Sequence, residues 1–249
     1  MANKQILAWH FLPEDGRLQF GIRSKVKVGQ MLKRDPSKFC LCTYGLHASV
    51  KPLDALRYAP GPIVCRVQLG GTIIEGDDKC VASRRTVLWM ADASRELRLF
   101  ACWCVRNTPL ADGRVVWDLL TDERSRTAVE VSERYADGLA TDEELVAARD
   151  VAWDVWAAAR ATAWSAAWIA TRAASRDATR AAAEDAARLA AEDAAMNVSR
   201  TAARGAVWDA AWIAWAAAGA AAGAAAGAAR AARVAQNAQL EKMLLELAP

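Results

Sequence analysis

The sequence predicts an α+β chain in which a small β-rich N-terminal domain precedes an all-α region with a long Ala/Trp-rich helical hairpin or bundle. Every proline except Pro249 lies at or before Pro109. From Thr141 to Leu240, 44 of 100 residues are alanine, with ten arginines, eleven acids and no lysine. That alanine-rich stretch also repeats with an eleven-residue period. Alanine has the highest helix propensity and proline the lowest, so this break in composition separates a strand-bearing part from a helical one.

The elements follow in order. Gln5–Phe11, Leu18–Arg23, Lys25–Leu32, Phe39–Cys42, Pro62–Leu69, Thr72–Ile74 and Arg85–Met90 are short β-favouring runs separated by Gly, Pro and Asp. Gly70-Gly71 and Gly76-Asp77-Asp78 read as hairpin turns, since neither forms a phosphate-loop or dinucleotide pattern. Lys51–Ala59 has helical spacing with Pro52 near its start, and Pro60-Gly61-Pro62 stops it. These elements make a head over residues 1–92. A helical module over 93–140 follows. Ser94 can cap a helix over Arg95–Val105, and Thr121 or Asp122 can cap one that runs to Asp137 and closes on Gly138. Thr141-Asp142-Glu143-Glu144 is a capping box that opens a stalk over 141–249.

The stalk's second and sixth elevens, RATAWSAAWIA and RGAVWDAAWIA, nearly match. A period of eleven favours straight or slightly right-handed helix packing. Trp153, Trp156, Trp164 and Trp168 fall within about a 120° arc of a helical wheel, and Trp208, Trp212 and Trp215 within a narrower one. One helix over the whole repeat would be roughly 150 Å long. A bend is expected at 196–205, where Met196-Asn197-Val198-Ser199 and Gly205 weaken the helix, so the two tryptophan units would lie on antiparallel helices.

A net charge of +3 gives no long-range attraction to nucleic acid or an anionic membrane. Arg172, Arg176 and Arg180 form a helical row, but Asp177, Glu184 and Asp185 interleave with it as intrahelical pairs. Ala210–Ala229 is uncharged, with Gly219, Gly223 and Gly227 spaced for close helix crossing. It is poor in Leu, Ile, Phe and Val, which disfavours a membrane span. The first fourteen residues lack a signal-like apolar run, so a cytoplasmic protein is expected, with its six cysteines reduced.

Cys40, Cys42 and His47 are the runner-up metal set, with Cys102 and Cys104 as further thiols. A Cys-x-Cys spacing suits a strand burying small thiols better than a zinc knuckle, so no metal and no cofactor is expected. Catalysis by histidine is confined to His10 and His47, the only two in the chain. By order and spacing, His10 on an early strand, Tyr58 on the helix and Glu75 after a later strand sketch an ADP-ribosyltransferase-like site, with His47 nearby. The plainer reading of His47 is a hydrogen-bonded histidine at a turn.

Leu7–Phe11, Leu41–Ser49 and Pro52–Pro60, with Val67–Gly70 and Gly76–Lys79, resemble an uncharacterised domain family of phage and bacterial proteins. Its members share a Gly-(Leu/Phe)-His-Ala element, a Pro-Leu-Asp helix and an acidic turn. The resemblance covers about residues 5–105 and implies no activity, because the family has no established function. Its other members lack a histidine at the His10 position, which counts against the transferase sketch. Leu97–Cys102 and Leu120–Thr141 resemble a helical module of planctomycete multidomain proteins that precedes Ala/Trp repeats of variable length. Variable repeat number suits an interaction element better than a catalytic core. The sequence therefore favours a non-enzymatic protein–protein interaction or self-assembly protein. Its tryptophans would be the interface, and its partner a second copy or another protein. The alternative is a small-molecule or nucleotide-handling enzyme with its site in the head near His47.

Overall fold

The computed structural model describes residues 4–18, 24–38, 44–109, 113–152 and 226–249. The tryptophan units, the bend at 196–205, Cys40 and Cys42 lie outside the described residues. The chain divides into two units, Met1–Leu97 with Asn237–Pro249, and Arg98–Gln236.

The first unit is built on an antiparallel sheet of five strands, β1 (Ile6–Leu12), β2 (Met31–Lys33), β3 (Leu46–Ala48), β4 (Ile63–Glu75) and β5 (Cys80–Asp92). Its order is β1-β4-β5-β2, and β3 pairs with the start of β5. Just beyond β3, Ser49 exchanges two backbone hydrogen bonds with Trp9 of β1, at 2.7 and 3.0 Å. That bridge closes a ring β1-β4-β5-β3. Alternating side chains of β4 and β5 put Cys65, Val67, Leu69, Cys80, Ala82 and Val87 into a core with Ala8, Leu12, Leu32 and Leu46.

The long β4–β5 hairpin corrects one expectation. Gly76–Lys79 is the turn, closed by Gly76 N–H donating to the Lys79 carbonyl at 2.8 Å. Gly70-Gly71 is not a turn. It lies inside β4, where the register with β5 shifts between Gly70 and Ile73. Gly71 has φ +73°, and the Thr72 amide displaced from the ladder donates to Ser83 Oγ at 2.9 Å. A bulge thus replaces the reversal, because Ser83 satisfies the amide that the shift frees. A Cβ on Gly71 would sit 2.1 Å from Ser83 Oγ, in a backbone region that side chains avoid. Gly71→Ala is expected to cost about 1–3 kcal/mol, measured by urea denaturation.

Helix α1 (Pro52–Leu56) packs on β1. Pro52 suits the first turn, and the short helix lacks a side-chain cap from Lys51. Its Leu53 amide is instead met by Asn237 Oδ1 at 3.2 Å. Asn237 belongs to the last helix, α5 (Ala226–Leu245), whose Leu240 and Leu244 are fully buried. Residues 237–249, grouped with the stalk by composition, therefore pack with the head.

The second unit contains most of α2 (Ser94–Asn107), then α3 (Glu123–Ala136) and the helical residues 142–152, here α4. The local signals read from sequence recur here. Asp122 caps α3 through Arg124 N, Gly138 follows it with φ +72°, and Thr141 and Glu144 exchange the two hydrogen bonds of a capping box at 2.8 and 3.2 Å. Ser94 opens α2 but is itself held by Asp92, which accepts from both its amide and its hydroxyl. Arg106 pairs bidentately with Glu133 and stacks over Trp117 at 4.1 Å. Cys102 and Cys104 on α2 are buried free thiols, as are Cys65 and Cys80 in the sheet. No helix among the described residues is long and apolar enough to cross a membrane.

Candidate functional site

A cavity of about 490 Å³ opens in the first unit where β1, β3 and α1 meet. Its wall is formed by His10 from β1, His47 from β3, Tyr58 just after α1, Arg34 after β2, Lys79 from the hairpin turn and Arg85 from β5. Apolar surface comes from Leu46, Ala55 and Pro60 among others. The sheet explains why residues so far apart in sequence meet here. His10 pairs in register with Cys65, while Arg85 pairs with Leu69 and Leu32, so both basic residues occupy strand positions flanked by core neighbours.

Three of the four residues sketched from sequence, His10, His47 and Tyr58, line this cavity. Glu75 does not. It ends β4 and forms an exposed ion pair with Lys4. Among the described residues no Asp or Glu lines the cavity, and no group of three or more His, Cys, Asp and Glu could hold a metal. Arg34, Lys79 and Arg85 are what reading from sequence missed. The available signal was Arg84-Arg85 interrupting an apolar run that pattern alone would bury.

Arg85 dominates the electrostatics. The residue is 3% exposed, its Nη1 donates to the His47 carbonyl at 2.7 Å, and its buried Nε has no hydrogen-bond partner among the described residues. No carboxylate among the described residues pairs with it. Burial pulls its pKa down to about 10, with the neighbouring Arg34 charge acting in the same direction. At the mouth, Tyr58 donates its hydroxyl to Asp78 Oδ2 at 2.5 Å, and Lys79 Nζ lies 4.2 Å from the Tyr58 ring centroid. Arg57 reaches the same carboxylate oxygen at 3.4 Å, so the acidic turn fastens the end of α1.

Burial, then the charges of Arg85 and His47, hold His10 well below the ordinary histidine range. Burial, Lys79 and Arg85 lower His47, against a hydrogen bond with Gly45 that raises it. Folded, both stay neutral at pH values where the unfolded chain, titrating near pH 6.5, takes up protons. The unfolded state then binds more protons as pH falls below about 6.5, so stability falls with it. Urea denaturation at pH 7.5 and 5.0 is expected to show that loss, and a His10→Gln, His47→Gln pair to flatten it. An unchanged slope in the pair would place the acid sensitivity elsewhere.

Residues 18–98 match the family model of a domain of unknown function, DUF7666. The matched span holds β2, β3, α1, β4 and β5, with His47, Tyr58 and Arg85, while His10 precedes it. No curated protein and no solved structure matches the chain.

Proposed function

We propose that the head is a small-molecule-binding domain that takes an anionic ligand in the cavity walled by His10, His47 and Arg85. The observation that carries this reading is the buried guanidinium of Arg85, which faces a cavity without a carboxylate partner among the described residues. A buried charge without a counter-ion costs several kcal/mol, and a bound anion supplies both the missing charge and an acceptor. The transferase alternative needs an acid to activate its acceptor, and Glu75 is engaged away from the cavity. Binding is therefore the function this geometry supports. Isothermal titration of the full chain with inorganic phosphate and with acetate tests it. Saturable binding that Arg85→Met abolishes supports the reading, and binding that is absent or indifferent to Arg85→Met overturns it.

A second reading concerns the repeat. The two near-identical tryptophan units in an alanine-rich sequence of high helix propensity favour helix–helix association, with itself or with another protein. Native mass spectrometry of the full chain tests self-association. A defined oligomer that Trp164→Ala with Trp212→Ala dissociates supports it, and a monomer at micromolar concentration removes it.

A further inference from the structure

Resting on the anion-binding reading, we infer that the cavity selects a phosphomonoester dianion carried on a small organic group, and that Arg34 is the residue that reads the second charge. Arg34 follows β2 and is held against β5 by its amide, which donates to the Ser83 carbonyl at 2.9 Å. Ser83 is the residue whose hydroxyl fixes the Gly71 bulge, so the backbone beside Arg34 is secured from two strands. Among the described residues, the Arg34 guanidinium makes one hydrogen bond, from Nη1 to its neighbour's carbonyl, Lys33 O, at 3.0 Å. It has no carboxylate partner among the described residues. Leu32, two residues before it, pairs with Arg85 across β2 and β5, and both arginines line the same cavity.

Two guanidiniums on one cavity repel each other, and an anion bound between them relieves that repulsion. A monoanion such as a carboxylate or a phosphodiester answers one of them. A phosphomonoester, doubly ionised near neutral pH, answers both, and its three terminal oxygens suit forked donors. The neutral His10 fits this, since it lines the cavity and can donate one N–H to a phosphoryl oxygen without adding charge. The cavity is also larger than an ion needs. Its 490 Å³ lies in the range of sites for organic ligands, and Leu46, Ala55, Pro60 and the Tyr58 ring offer apolar contact for the rest of the molecule.

The test compares phenyl phosphate, methyl phenyl phosphate and inorganic phosphate on the full chain at pH 7.5 by isothermal titration. These probes share the phosphoryl group and differ in charge or in organic part. Phenyl phosphate is expected to bind at least about tenfold tighter than methyl phenyl phosphate, and tighter than inorganic phosphate. Arg34→Gln should weaken phenyl phosphate more than methyl phenyl phosphate, and so erase the preference for the dianion. Equal binding of the two esters, or a preference that survives Arg34→Gln, overturns the selection while leaving anion binding at Arg85 intact. Inorganic phosphate binding as tightly as phenyl phosphate overturns the organic part of the inference. If no anion binds at all, acetate included, the underlying reading fails with it.

Discussion

Leu240→Ala is expected to destabilise the head by about 2–5 kcal/mol, the range for truncating a fully buried leucine whose surroundings relax only in part. Leu240 has no exposed surface, and neither has Leu244 one turn later. Ala232, Gln236, Leu240 and Leu244 are buried at every fourth position, so α5 turns one narrow stripe inward. Leu245 is 47% exposed on the same helix and serves as the control, with Leu245→Ala expected within about 0.5 kcal/mol of the parent. Hydrogen exchange of the β4–β5 amides reads the effect in the head itself. Protection lost by Leu240→Ala and kept by Leu245→Ala is the expected pattern. Equal protection in both would mean that the last helix does not support the sheet.

Arg85→Met is expected to raise the stability of the ligand-free head while abolishing anion binding. Two terms decide the sign. Removing the guanidinium gives up its 2.7 Å hydrogen bond to the His47 carbonyl, worth about 1.5–3 kcal/mol for a charged donor. It also relieves the desolvation of a charge without a counter-ion among the described residues, an effective several kcal/mol, and methionine keeps most of the volume. The second term is the larger, so the variant should melt higher than the parent without ligand. Saturating phosphate should raise the parent's melting temperature and leave the variant's unchanged. A variant that melts lower in both conditions would make Arg85 a structural residue rather than a ligand-binding one.

What was legible in the sequence is what local chemistry determines. Asp122, Gly138 and the Thr141–Glu144 box mark helix ends because each acts on backbone within four residues of itself. The α+β class was legible too, since short β-branched runs and a proline-marked helix carry their own periodicity. The bulge at Gly71 was not, because Gly-Gly reads as a reversal until Ser83, twelve residues on, is known to capture the Thr72 amide. Nor was β3, a three-residue strand that exists only because β5 lies beside it. The cavity was half legible. Two histidines and a tyrosine attract attention by type, whereas Arg34 and Arg85 look like ordinary strand charges until pairing shows which way the sheet turns them. The helix that completes the head was the least legible, since its alanine-rich start resembles the repeat before it and nothing local announces a partner near residue 53.

The pairing of Leu53 with Asn237 also sets an order of events during synthesis. Residues 1–97 leave the ribosome long before the segment that completes their unit, and residues 98–236 come between. At 5–20 residues per second, the nascent head waits on the order of ten seconds for α5. During that interval the Leu53 amide lacks its acceptor, and the surface that Leu240 and Leu244 will cover is open. Newborn chains therefore pass through a stage at which chaperones and proteases meet an unfinished head, one that the mature protein presents only when α5 lets go.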